Sequence, residues 1–544
     1  MNDQAAPSRP WQAIVEVLLI FAIFFLHGAY AAPDSNEAHY LTKAKHHWNP
    51  GWAAGDFFLD SADAHQVFYW SFGWLTLWLS LEQAAWVGRV LTWLLLAWSW
   101  QRLSAAAVPR PWLSVLAAAV FVGLNENAHM AGEWVIGGFE AKGFSYALVL
   151  FALARIVRGE WGSAWLLLGG ATALHVLVGG WAMVAAAAAW LASGDERPRF
   201  QTLLPALTMA VALALPSVYF GLSLSGSADA ATIAEANRIY VFERLPHHLS
   251  AMQLAPGFLT RHLLLQAVWL LMITFMPAAW PGSRALRCFV ATTIAISWIG
   301  LGLNVLLQDR PEWLASVLRY YWFRASDAFV PLGVAVELAA MITVGLGERG
   351  VVAATLARSH RGALGARRGI APGWLAGAVV LATIDSVIQL DHLPFRVPIV
   401  NETPATPRAD KNVNYSDWMD VCGWVVEHTE PDAIVLTPRS AATFKWYTGR
   451  PEVATWKDVP QDARSIVEWW DRMIALHATG ESDPRWYKSF SEQGPERLRA
   501  LMERYGARYV IVPLRDDVAP LAIEPLYEND SFAVYRREQL EFKH

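Results

Sequence analysis

The chain has 544 residues, of which 55% are hydrophobic and only 17% charged, a balance far from that of a water-soluble enzyme. A net charge of -5 leaves no basic surface for nucleic acid, and two cysteines, Cys288 and Cys422, supply neither a metal pattern nor a disulfide framework. The composition points instead to an α-helical polytopic membrane protein carrying a C-terminal soluble α/β domain.

Apolar blocks recur from Trp11 to Leu390, each closed by Arg, Asp, Pro or Trp, as crossings of about 30 Å of hydrocarbon require. Eleven spans are expected, near 11-28, 84-101, 112-124, 143-157, 162-177, 179-193, 201-222, 262-281, 287-307, 327-346 and 373-390. Glu16 and Arg89 fall inside spans, where an unpaired charge is costly, so a pair between them is expected. A long first outer loop, 29-83, contains the block Gln66 to Leu81, which reads either as an amphipathic stretch at the interface or as one more span. With the stretch at the interface, cytoplasmic loops carry 14 Lys+Arg and outer loops 9; as a span it inverts every later loop, giving 8 and 15. The positive-inside rule selects the interfacial reading, with a cytoplasmic N-terminus and an extracytoplasmic tail. Arg9, the first apolar run and Ala29-Tyr30-Ala31 also resemble a signal peptide, whose cleavage would leave the later topology unchanged.

Residues 1-390 hold 24 Lys+Arg against 23 Asp+Glu, whereas 391-544 hold 19 against 25, so the tail reads as a separate domain behind the Pro-rich stretch HLPFRVPIVNETPATPR, 392 to 408. In it, DAIVLTP (432-438), ARYVIVP (507-513) and the hairpin-like EPLYENDSFAVYR (524-536) predict strands, and 416-429 and 495-506 predict helices.

The polar residues of interest fall in the expected outer loops: Asp34 and Glu37 in the first; Glu126, His129, Glu133, Glu140 and Lys142 in 125-142; Arg238, Arg244, His247 and His248 in 223-261; Arg319 and Arg324, beside Asp327, in 308-327. Carboxylates and cations gathered at helix ends suit a lipid-linked phosphate held near a general base. Each group also has a plainer role. Asp34 could cap a helix starting near Ser35, and Glu126, His129 and Glu133 share a face only if helical, which Gly137-Gly138 interrupts. His247-His248 could sit at the interface, and Arg319 and Arg324 could snorkel from a span end. GLGERG (345-350) matches a dinucleotide fingerprint but follows a membrane helix rather than a strand, and Walker A, HExxH and CxxC sequences are absent.

A first span, an outer loop opening on PDSNEAHYL (33-41), an aromatic stretch introduced by His65 (HQVFYWSFGWL) and the span AAWVGRVLTWLLLAWSW together resemble the GT-C class of membrane glycosyltransferases. That class includes protein mannosyltransferases, aminoarabinose transferases and oligosaccharyltransferase catalytic subunits. The resemblance implies transfer of a sugar from a polyprenyl-phosphate-type donor to an acceptor on the outer, periplasmic face of a bacterial inner membrane. It also implies a catalytic or metal-linked carboxylate early in the first outer loop. Asp34 matches that position and Glu37 is its neighbour, with a divalent cation as the cofactor such acids could hold. The acids here stand three apart rather than as a tight pair, His65 is followed by Gln66-Val67, and the tail lacks a WWDYG-like acceptor motif. The competing readings are a transporter, which needs ionisable residues at the bilayer midplane, and a scaffold whose tail binds partners. Sugar, acceptor and oligomeric state have no signature in the sequence.

Overall fold

The computed structural model describes residues 10–226, 228–275, 280, 282–355, 408–480 and 485–541. Each expected span within those residues falls on a helix; the end of the span at 262-281, the span at 373-390 and nearly all of the Pro-rich boundary lie outside them. Pro10–Gly28, Phe200–Ser223, Pro256–Phe275, Ser283–Leu306 and the Arg324–Thr343 part of a longer helix are long and apolar enough to cross a membrane unaided. Leu113–Asn127, Ala141–Val157, Trp161–Leu174 and Val176–Ala192 are shorter members of the same bundle. The 27-residue helix Leu81–Ala107 carries Arg89 inside it and starts in a reciprocal capping box, Ser80 with Gln83. Small residues bring the helices close. A Cβ on Gly169 would sit 2.6 Å from the Ala210 backbone of Phe200–Ser223.

The block Gln66 to Leu81 is no span. It forms a seven-residue helix, Gln66–Phe72, and a short 3₁₀ turn, Gly73–Leu77, with Trp70, Trp74, Leu77 and Trp78 exposed. Twelve residues at 1.5 to 2.0 Å of rise reach only about 20 Å. The expected pairing of Arg89 with Glu16, by contrast, is overturned. Glu16 accepts from the Gln101 amide at 3.1 Å, the Ser114 hydroxyl at 2.8 Å and the Trp112 backbone at 2.8 Å. Arg89 turns the other way and pairs with Glu37.

The tail folds as expected, around a four-stranded sheet in the order β1 (Val435–Leu436), β2 (Tyr509–Pro513), β4 (Phe532–Arg536), β3 (Tyr527–Glu528). β1 runs parallel to β2, and the remaining pairs are antiparallel. Both faces of β2 are buried: Tyr509 and Ile511 pack with Trp418 and Val425 of the helix Arg408–His428, while Val510 and Val512 pack with Trp469 and Met473 of Ala463–His477. Burial on both faces explains why ARYVIVP reads as a continuous apolar run rather than an alternation. Ala236 and Ile239 of the 223-261 segment join the second of these cores, and Phe57 of the first loop packs against it. The loops and the tail domain are thereby one packed body.

Candidate active site

Asp327, in the first turn of the helix Arg324–Thr355, sets the shape of the 128–136 loop. Its carboxylate accepts backbone N–H groups from Met130 at 2.6 Å, Ala131 at 2.9 Å and Glu133 at 3.3 Å. The Asn125 side chain donates to the Glu133 and Asp327 carbonyls, both at 3.1 Å. Because the preceding helix ends at Asn127, Glu126, His129 and Glu133 do not share a face. Glu126 stands 3.8 Å from His27, the His129 ring stacks on Phe258, and Glu133 turns inward onto Arg324 at 2.7 Å and the Tyr146 hydroxyl at 2.9 Å.

Asp34 and Glu37 have different fates. Glu37 is wholly buried and both its oxygens are filled: Oε1 accepts from Arg89 at 2.6 Å and the Phe139 backbone at 2.7 Å, and Oε2 from a second Arg89 nitrogen and the Asp34 backbone at 2.8 Å. Such a carboxylate locks its loop and has no lone pair left for chemistry. Asp34 does not cap the helix, which starts at Glu37 with Asn36 at the N-cap. Its Oδ1 accepts only the adjacent Ser35 N–H, at 2.6 Å. Burial, reinforced by the charge of Glu37, lifts its carboxyl above the ordinary aspartate value, which makes it a better base.

Beside this corner lies a cavity of about 520 Å³. Part of its lining is apolar: Leu174, Val176, Leu177, Val218, Leu222 and Leu224, at or just past the ends of three consecutive membrane helices. The rest includes five cations, Lys142, Arg244, Arg319, Arg324 and Lys457, against a single lining carboxylate, Glu133. Four of the five cations, all but Lys457, are pre-positioned. Arg324 is held by Glu133 and lies 4.0 Å over the Tyr321 ring. Lys142 stands 3.7 Å from both Glu133 and Glu140 and 3.5 Å over the Trp134 ring. Arg244 donates to the Trp456 carbonyl at 2.7 Å, and Arg319 donates to Asn237. His248 also lines the cavity; burial lowers its pKa to about 3, so the ring is neutral, and its Nδ1 lies 2.5 Å from the Ala131 carbonyl. A preformed cluster with this excess of positive charge favours an anionic ligand.

Of the residues singled out in the sequence, Glu133, Lys142, Arg244, His248, Arg319 and Arg324 line the cavity, and Asp34, Glu37, Glu126, His129, Glu140, Arg238 and His247 do not. Arg238 is engaged by Glu235 and Glu243, and the His247 ring lies against His248. Tyr40, His175, Tyr240, Tyr321, Lys457 and Gln461 line it without having been expected; no motif marks them, since only the fold brings their distant segments together. The acids near Asp34 do not fit a divalent cation: the Glu37 oxygens are filled, and Glu140 accepts from the Trp134 indole at 3.1 Å and the Asn36 amide at 3.2 Å. Among the described residues no group of three or more His, Cys, Asp or Glu is placed to hold a metal ion.

Comparison with known proteins gives one family match, DUF6798, a domain of unknown function, over residues 416–476. No curated protein sequence matches. Among solved structures, the chain is similar to ArnT from Cupriavidus metallidurans bound to undecaprenyl phosphate, at 12% identity and a TM-score of 0.43, with 98% of each chain covered. It is also similar to the archaeal oligosaccharyltransferase AglB from Archaeoglobus fulgidus in complex with an inhibitory peptide and a dolichol-phosphate, at 12% identity and a TM-score of 0.43, covering 92% of this chain and 69% of that one. An Archaeoglobus fulgidus oligosaccharyltransferase in complex with Zn and sulfate aligns at 12% identity and a TM-score of 0.40, covering 92% and 67%.

Proposed function

We propose that this chain is a membrane glycosyltransferase that moves a sugar from a polyprenyl-phosphate-type donor to an acceptor on the outer face of a bacterial inner membrane. The observation that carries this reading is the mixed lining of one cavity, apolar residues from membrane-helix ends together with five cations. That mixed lining suits a ligand with a hydrocarbon chain and a phosphate head. In the transfer, the acceptor hydroxyl oxygen bonds to the sugar's anomeric carbon, and the bond from that carbon to the phosphate oxygen breaks. The polyprenyl phosphate leaves with the electron pair, and Asp34 takes the hydroxyl proton. Charge grows on the phosphate as it leaves, so Arg244, Arg319, Arg324 and Lys142 stabilise the transition state more than the bound donor.

Transport finds less support. Of the charges expected inside spans, Asp385 lies outside the described residues, and Glu16, Arg89 and Glu337 are each tied to fixed partners: Arg287 holds Glu337 at 2.7 Å. A proton or ion relay needs groups that exchange partners. The deciding experiment supplies the full-length protein in liposomes with undecaprenyl-phosphate-linked radiolabelled sugars and measures release of undecaprenyl phosphate. Donor binding with slow release is expected even without the natural acceptor, through transfer to water; absence of both overturns the assignment.

A further inference from the structure

The segment 456–461, inside the stretch that matches the domain of unknown function, runs along the cavity, and its residues grip the rim one after another. The Trp456 carbonyl accepts from Arg244, Asp458 stands 3.1 Å from His39, and Gln461 accepts from the Ala64 backbone at 2.9 Å and contacts His65 at 3.1 Å. Asp458 is itself held from behind by the buried Lys445 at 2.5 Å, which also takes Glu452 at 2.7 Å, so the segment is tied both to the first loop and to the tail's own core. Between these anchors Lys457 extends its ammonium to the cavity, where its partner among the described residues is the Ser35 hydroxyl at 3.5 Å, next to Asp34. A cation this weakly engaged, near Arg244 and Lys142 in a cavity with one lining carboxylate, has donors to spare for an anion.

We infer that Lys457 is a phosphate-binding residue contributed by the tail domain, and that the tail's role is to complete the donor site that the membrane helices leave open on one side. The inference rests on the glycosyltransferase reading above and adds a residue and a domain to it. Burial first, and then the charge of Arg244, lowers the Lys457 pKa to about 8, while Glu140 and Asp458 oppose that shift and Lys142 adds to it. A bound phosphate would therefore lose one contact as the pH rises past that value.

The test measures binding of undecaprenyl phosphate to the full-length protein between pH 7 and 9.5. Wild type should weaken above about pH 8. Lys457→Arg should hold its affinity to pH 9.5, and Lys457→Gln should bind about tenfold to a hundredfold more weakly at pH 7, the range for a charge-assisted hydrogen bond, with a flat profile. Wild-type affinity and pH profile in Lys457→Gln would overturn the inference, as would a Lys457→Arg profile that falls like wild type. If wild type binds and Arg324→Ala weakens binding while Lys457→Gln does not, the glycosyltransferase reading stands and this one fails. If wild type binds no undecaprenyl phosphate, both fail. Inorganic phosphate is the second arm: displacement of the lipid at equal concentration would reassign the site to a free anion and overturn the lipid assignment.

Discussion

Two carboxylates three residues apart, Asp34 and Glu37, should respond oppositely to loss of charge. Glu37→Gln removes the partner of Arg89, and both side chains are fully buried. A buried guanidinium left without its counter-ion costs about 3 to 5 kcal/mol, and the new amide N–H₂ faces donors from Arg89, Phe139 or Asp34. Asp34→Asn keeps an oxygen for the Ser35 N–H, so its stability cost should stay below about 1 kcal/mol. Removing a general base lowers transfer by roughly 10²- to 10⁴-fold. Thermal unfolding in detergent, followed by the fluorescence of the 29 tryptophans, separates the two effects from a parallel transfer assay. The expected pattern is a destabilised Glu37→Gln and a stable but inactive Asp34→Asn. An active Asp34→Asn, or a Glu37→Gln as stable as wild type, would refute the division of roles.

Arg324→Ala removes a cation from the cavity and leaves Glu133 short of a partner, so lipid-phosphate affinity should fall about tenfold to a hundredfold by equilibrium binding. Gly169→Ala places a methyl 2.6 Å from the Ala210 backbone and should cost about 1 to 3 kcal/mol in the same unfolding assay, with little effect on donor affinity. Burial lowers the His477 pKa to about 3, below its unfolded value, so the unfolded chain binds the extra proton and stability falls as pH drops from about 6.5 toward 3. His477→Phe should remove up to about 1.4 kcal/mol per pH unit from that slope between pH 6 and 4, read as the pH dependence of unfolding. A reporter joined after Phe395 should register as extracytoplasmic; a cytoplasmic signal would reverse the charge-based topology.

The membrane helices were legible because their signal is local: an apolar run closed by Arg, Pro or Trp needs no partner to be recognised. The tail strands were legible for the same reason, since burial on both faces writes ARYVIVP as an unbroken apolar run. Short-range cues failed where tertiary contacts decide. Arg89 and Glu16 both sit in apolar helices and invited pairing, but the first loop folds back to place Glu37 against Arg89, while three neutral donors satisfy Glu16. Spacing of i, i+3 and i+7 suggested one face for Glu126, His129 and Glu133, but Asp327, some 200 residues later, captures the backbone between them and turns Glu133 alone toward the cavity.

The same distinction accounts for the site. Arg244, Arg319 and Arg324 could be picked out as loop cations near span ends, because a charge beside an apolar run is visible in one dimension. Lys457 could not: it lies in a soluble domain with many other charges, and its place at the cavity follows only from Asp458 meeting His39 and Gln461 meeting Ala64 and His65. A chain that binds an amphiphile must join a surface made by membrane helices to a charged one that the bilayer would reject. The cheapest place for part of that charge is a domain that folds in water and reaches back over the helix ends. On that view the buried network of Lys445, Glu452, Asp458 and Asp56 is retained less for net stability, which buried ion pairs rarely supply, than to fix the register of the tail on the first loop. Its integrity then governs where Lys457 lies relative to Asp34, and with it, on the proposed function, the distance between phosphate and base.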